Sequence, residues 1–327
     1  MSATAPPVKC PRGPGREPHP AAAARQEPGP PEAGRQEPGP AEAARRELVG
    51  RGDPEGACTV IQPVGSDLMS ELRELWRYRE LLGFLAWRDL RVRYRQTLLG
   101  AAWALFEPLV SVVLFTLVFH NLAGLSAGSV PYPLHCYAGV AVWTFFGRAL
   151  RSTTVSLVAN ANLVTKAYFP RLILPLSGQL ATLVDLACAL LMYAGLVLYY
   201  GVTPSAAVFT VPLWVALAGL SALGVGLVLA AINVRFRDVS QAVPFLVQMW
   251  MLATPVAYPL ATIPAVWRPL YGLNPMVGAV EGMRWALLPG YHLDTYYLIP
   301  SVTLGLTALL VGSVWFRGAQ RRFADIV

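Results

Sequence analysis

The sequence predicts an all-α integral membrane protein: six transmembrane helices, an N-terminal amphipathic interface helix, and short re-entrant helices on the outer side. Three observations carry this. Only 14% of the residues are charged and 55% are hydrophobic, with a mean hydropathy of +0.47, whereas soluble domains are about a quarter charged. The apolar residues are gathered into successive runs of about 18 or more, the length a helix needs to cross the hydrocarbon core. The formal net charge of +7 comes almost wholly from arginines. They flank the apolar runs, which is the pattern of topology-setting charge and not of a nucleic-acid surface.

Residues 1–65 stand apart. They are rich in Pro, Gly, Ala, Arg and Glu and repeat Arg25-Gln26-Glu27-Pro28-Gly29-Pro30 as Arg35-Gln36-Glu37-Pro38-Gly39-Pro40. With few large apolar side chains to offset ordering entropy, this segment is expected to be disordered. It has no apolar stretch after its first charges, so it is not read as a signal peptide. Residues 66–100 form the interface region. Leu68, Leu72, Leu75, Leu82 and Leu85 recur near helical spacing, opposite a basic set that includes Arg73, Arg77, Arg79, Arg88, Arg91, Arg93 and Arg95. A basic amphipathic helix beside a span lies in the headgroup plane, with its arginines toward anionic lipid.

The six-span domain occupies residues 101–327. Its spans are expected at about Ala101–Leu122, His135–Val158, Leu172–Tyr200, Ala206–Ile232, Val239–Pro259 and Tyr296–Phe316. Arg148 and Arg151 interrupt the second span; they share a face and either snorkel to the cytoplasmic surface or line a polar pathway. The connections 123–134 and 201–205 carry no Lys or Arg. The opposite connections carry Lys166, Arg171, Arg235 and Arg237, joined by the basic helix and by Arg317, Arg321 and Arg322. The positive-inside rule therefore puts both termini in the cytoplasm. The long outer connection 260–295 is divided by Pro264, Pro269, Pro275 and Pro289 into two short apolar stretches, Ala265–Leu273 and Met276–Leu288. They read as re-entrant or interface-lying helices and as the place for an outer gate.

Chemistry of its own is hard to find in this chain. The two lysines, Lys9 and Lys166, follow Val8 and Thr165, so no Gly-Lys pair is present to close a phosphate-binding loop. An ATP-driven process would need a second polypeptide. A membrane glycosyltransferase or polymerase wants clustered carboxylates or histidines, and the outer connection offers only Glu281, His292 and Asp294. Cys10, Cys58, Cys136 and Cys188 have no metal-binding or redox spacing, and no metal site is expected. Glu107 and Asp185 lie inside spans, where charge is costly and draws attention. Two such groups are few for a gradient-driven carrier, the other alternative. The segments 160–171 and Asn233–Asp238 have the shape of elements that dock on a soluble partner, and equally that of ordinary turns.

The run from Trp87 to Trp103, which contains Arg88, Arg91, Arg93, Arg95 and Gly100, resembles the entry segment of ABC-2-type polysaccharide export permeases. Asn162–Pro175 is similar to their first cytoplasmic coupling loop, and Asn233–Asp238, Asn274-Pro275 and Phe323-Ala324-Asp325 also match. The resemblance covers about Leu75 to Val327, departing at Glu107, where a Gln or Asn is more usual. It implies a permease subunit of the bacterial cytoplasmic membrane that pairs with itself and with two copies of a separate ATPase. That ATPase would hold the ATP and magnesium, with no cofactor on this chain. The cargo implied is a lipid-linked glycan of the O-antigen, teichoic acid or cell-wall galactan kind. The ATPase-coupling residues would be Asn162, Lys166, Tyr168, Phe169, Arg171, Arg235, Arg237 and Asp238. For a sugar pathway the candidates are Trp103, Phe106, Glu107, Trp143, Phe145, Phe146, Trp250 and Tyr258, since aromatic faces stack on sugar rings. Aromatic belts at membrane interfaces produce the same enrichment.

Overall fold

A computed structural model describes residues 68–95, 102–126, 128, 130–166, 169–203 and 205–326. The 1–65 tail, Tyr168 and the side chain of Trp103 lie outside the described residues. Every regular element described is helical: α1 (Leu68–Arg77), α2 (Arg79–Tyr94), α3 (Ala102–Phe115), α4 (Tyr132–Ala159), α5 (Ala161–Lys166), α6 (Ile173–Tyr199), α7 (Val211–Arg235), α8 (Val239–Leu252), α9 (Arg268–Gly272), α10 (Pro275–Leu287) and α11 (Thr295–Ile326). α3 continues as a π-helical stretch, Thr116–Leu122, and a 3-10 turn, Ala206–Thr210, leads into α7.

The amphipathic region is two helices, not one. The chain breaks at Tyr78 (φ −93°, ψ 19°) between α1 and α2. α2 packs along α6. Its Leu85 is buried in an apolar cluster with Leu157, Ile173, Leu227 and Phe316.

Four segments are long and apolar enough to cross a membrane: Leu105–Leu122, Ile173–Tyr199, Ala206–Arg235 and Thr295–Gln320. They agree with four of the six expected spans. The other two differ. α4 has 28 residues, about 42 Å of helix, but carries Arg148, Arg151, His135 and several aromatic residues in place of a uniform apolar surface. It is the hub of the bundle, packed against α3, α6, α7, α8 and α10. A helix surrounded by protein does not need the hydropathy of one bathed in lipid. The fifth span, expected to reach Pro259, stops at Leu252 as a helix of 14 residues, about 21 Å. Thr254 precedes Pro255, and a residue before proline is driven away from helical geometry. The Thr254 hydroxyl donates to Trp250 O (2.9 Å) and accepts from the Asn274 amide (2.8 Å), fixing the turn there.

The short stretches of the long connection become α9 and α10. Asn274 caps α10 by accepting from Met276 N (3.0 Å), with Pro275 at the first helical position, where its missing N–H costs nothing. α10 is buried almost throughout, between α4, α7 and α11. It is thus enclosed by protein. Its one arginine, Arg284, is fully buried and donates to Glu281 (2.7 Å), to Val256 O (2.6 Å) and to His135 O (3.4 Å). That guanidinium ties α10 to the start of α4 and to the turn after α8.

α7 and α11 cross with their backbones in contact. A Cβ on Gly224 would overlap the main chain of Ala308 and Leu309, and one on Gly312 would overlap Gly224. Small residues permit this approach, which suits apolar helices that have no hydrophobic drive toward each other.

Candidate functional site

One end of the bundle gathers the basic connections. α5 and the segment after it lead from α4 into α6, and Leu163, Val164 and Phe169 pack on the apolar cluster around Leu157 and Phe316. The Arg171 guanidinium donates to Gln320 O, joining this connection to the far part of α11. Asn162 and Lys166 face outward. The α7–α8 connection lies at the same end. Buried Asn233 donates to Thr154 O of α4 (3.3 Å) and accepts from Ser240 N (3.1 Å). Arg235, Phe236, Arg237 and Asp238 are exposed, with Arg235 over the Phe236 ring (5.3 Å). The residues expected to couple to a partner are therefore split. Lys166, Asn162, Arg235, Arg237 and Asp238 present a surface, whereas Phe169 and Arg171 hold that surface to the helices.

α2 meets this end as well. Arg88 bridges Asp89 (2.8 Å) and donates to Asn160 Oδ1 (2.7 Å), at the end of α4. Arg91 lies over the Trp87 ring (5.6 Å) and Arg95 is exposed. Arg93 departs from the expectation that the α2 arginines point to headgroups. It forms an ion pair with Asp185, and the neighbouring Tyr94 hydroxyl donates to the same carboxylate.

Asp185 sits near the middle of α6 and is 4% exposed. Its carboxylate also meets Arg148 of α4 (3.0 Å), whose other amino group pairs with Glu107 of α3. Two acids, two arginines and a tyrosine thus join α2, α3, α4 and α6. Burial of a carboxylate is tolerable only when counter-charge and hydrogen bonds replace water, and here both do. The Arg148 guanidinium is held between these two acids, Asp185 buried and Glu107 exposed. The sequence marks Asp185 and Arg148 as costly charges. It gives no sign that Arg93 and Tyr94, about 90 residues earlier, complete the set.

The opposite end carries an aromatic groove of about 860 Å³, lined by Trp250, Tyr258, Trp267, Tyr271 and Asn274 among others. Trp250 Nε1 donates to Asn274 Oδ1 (3.0 Å), which sets the indole at the groove wall. Phe146 packs edge-on behind it (5.1 Å, 84°), as does Trp143 (6.4 Å, 75°). Trp143, Phe145 and Phe146 are buried in the core of this chain. Trp250 and Tyr258 line the groove. Phe106 and Glu107 are exposed on α3, away from that lining. Trp267 and Tyr271 were missed because they fall in a proline-broken stretch without helical periodicity. Among the described residues there is no group of three His, Cys, Asp or Glu able to hold a metal.

Several known proteins are similar over most of this chain. The "O-antigen export system permease protein RfbA" of Myxococcus xanthus is 30% identical over 263 residues, covering 78% of this chain and 98% of that protein. A protein of the same name from Klebsiella pneumoniae is 25% identical over 249 residues, covering 76% of this chain and 95% of its own. The "Polysialic acid transport protein KpsM" of Escherichia coli is 23% identical over 234 residues, covering 70% and 90%. The model of the family described as "ABC-2 type transporter" matches residues 80–288, from the start of α2 to the end of α10. With the helical bundle and its apolar spans, that match means that the chain belongs to the ABC-2 type transporter family of membrane proteins.

Proposed function

We propose that this chain is the permease subunit of an ATP-driven exporter of a lipid-linked polysaccharide in the bacterial cytoplasmic membrane. It works as a homodimer with two copies of a separate ATPase, with both termini in the cytoplasm. The observation that carries the reading is the basic end. Exposed charges on two connections surround helix ends that are internally braced, so a force applied at Lys166 or Arg237 reaches α11 through Arg171 and α4 through Asn233. The relatives named for O-antigen and polysialic acid transport support a glycan as cargo. The absence of a Gly-Lys pair supports a nucleotide site on another chain. Trp76, Phe84, Trp87 and Val92 are exposed on α1 and α2. With arginines beside them, they support an interface helix at the inner membrane surface. The exposed apolar residues of α3 and its π-helical continuation, such as Val113, Leu114 and Leu117, are available to lipid or to a second copy.

The test is purification of the chain from its native membrane, mass spectrometry of its companions, and export by the reconstituted complex. Lys166→Glu and Arg237→Glu, both on the exposed surface, should leave ATP hydrolysis running and lower export by about tenfold or more, a loss of coupling of at least 1.4 kcal/mol. An active preparation without a nucleotide-binding companion would sink the proposal. A gradient-driven carrier is disfavoured because Glu107 and Asp185, the acids inside the spans, are both held in ion pairs.

A further inference from the structure

A second cavity, of about 360 Å³, lies beside the aromatic groove, and the segment 258–264 contributes residues to both. α9 also stands between them: Arg268 lines the cavity, while Trp267, Leu270 and Tyr271 line the groove. The cavity wall carries one arginine and two carboxylates, Glu281 and Asp294. Glu281 is compensated by Arg284 (2.7 Å) and by the Tyr291 hydroxyl (2.7 Å). The other two charges are not. Arg268 donates to Ile263 O (2.8 Å) and Ala261 O (3.0 Å), which fixes the plane of its guanidinium but leaves its positive charge and the Nη1 hydrogens unmatched. The Asp294 carboxylate accepts only from Tyr296 N (3.0 Å), at the start of α11, through one of its two oxygens. Among the described residues, neither Arg268 nor Asp294 is in an ion pair, with each other or with any third group.

A simple anion would gain from Arg268 and be repelled by Asp294, and a metal cation the reverse. A ligand with both charges gains from both. From this pair we infer that the cavity and the groove together hold one phospholipid with a primary-amine, zwitterionic headgroup, of the phosphatidylethanolamine kind. The guanidinium matches the phosphate in charge and in planar donor geometry. The ammonium brings three donors, which the second Asp294 oxygen can accept. The cavity is walled partly by connections, with Ser126 and Gly128 before α4 and His292 and Asp294 before α11. That is the level of headgroups at a helical bundle's end. Its volume is near the lower end of small-molecule sites, about 300–1,000 Å³, and suits a headgroup. The groove of about 860 Å³ takes the hydrocarbon: its lining runs from Pro264 and Trp267 to Trp250 and Ala253 at the end of α8 and is apolar or aromatic apart from Thr262 and Asn274. Trp267 and Leu270 are 59% and 57% exposed, apolar surface that an acyl chain would cover.

The ligand is a component of the bilayer and not the cargo, so the inference does not depend on the exporter reading. The full-length chain is delipidated in detergent and titrated, by native mass spectrometry, with phosphatidylethanolamine, phosphatidylcholine and phosphatidylglycerol of identical acyl chains. Phosphatidylethanolamine should bind about fivefold or more tightly than the other two. Arg268→Gln should weaken it by about tenfold, the loss of one charge-assisted contact, and Asp294→Asn should bring it down to the phosphatidylglycerol level. Asp294 is exposed and its asparagine variant still accepts from Tyr296 N, so that variant reads the headgroup even where Arg268→Gln misfolds; Tm is the folding check. Equal binding of the three lipids by the wild type would overturn the inference, as would a preference for phosphatidylethanolamine that Asp294→Asn leaves unmoved. Displacement of the lipid by equimolar O-phosphoethanolamine would overturn it in favour of a soluble ligand that makes no use of the groove. None of these results touches the ATPase partnership.

Discussion

Replacing Asp185 with Leu tests whether the buried charge network that joins α4 and α6 acts as an energetic unit. The substitution removes the shared acceptor of Arg93, Tyr94 and Arg148. Breaking one side of a buried ion pair costs about 3–5 kcal/mol. The lower end applies here, because the Arg93 and Arg148 side chains are 33% and 24% exposed and can recover some water. Arg148 also keeps Glu107, but that acid is 58% exposed, so the surviving pair contributes little. We expect Asp185→Leu to cost about 3 kcal/mol and Arg148→Met, which leaves Asp185 with Arg93, about 2 kcal/mol. In the double variant neither buried charge lacks its partner across α4 and α6, so the loss should fall short of the sum by about 1.5–2 kcal/mol. The assay is SDS-titration unfolding in mixed micelles for the four proteins of the cycle. A coupling below about 0.5 kcal/mol, the level at which independent sites add, would refute the network as an energetic unit.

The same assay checks substitutions at four further positions, Gly224, Gly83, Arg284 and Trp250. Gly224→Val should cost about 3 kcal/mol or prevent folding, because its side chain would meet the α11 main chain at Ala308 and Leu309. Gly83→Ala, with nothing within 4 Å of its Cβ, should gain about 0.5–1 kcal/mol, and a loss there would count against a helical α2. Arg284→Met should cost about 3–5 kcal/mol by leaving Glu281 without its counter-charge, and adding Glu281→Gln should restore part of it; strict additivity would argue against the pair. Trp250→Phe should cost about 1 kcal/mol, the hydrogen bond to Asn274, while keeping the ring packing on Phe146; a much larger change in Tm would mean the indole does more than line the groove.

Much of this protein was decided by its sequence alone. The runs at 105–122, 173–199, 206–235 and 295–320 are long and apolar, and each became a helix, because in such a stretch only internal hydrogen bonding satisfies the backbone. Asn274-Pro275 capped α10 as local chemistry dictates. The tertiary structure decided which helices need lipid-like surfaces. α4 looks weak as a span and turned out to be the hub, since its neighbours, and not its composition, supply its environment. α8 ended early at a proline turn whose partner, Asn274, is 20 residues away. The candidate sites divide in the same way. Arg235, Arg237 and Lys166 stood out as exposed basic turns because exposure follows from local polarity. The pairing of Arg93 and Tyr94 with Asp185, the burial of Trp143 and Phe146 behind Trp250, and the meeting of Arg268 and Asp294 in one cavity all depend on contacts between distant segments. Periodicity reports only which face of a helix is apolar; what that face meets is set by how the helices pack.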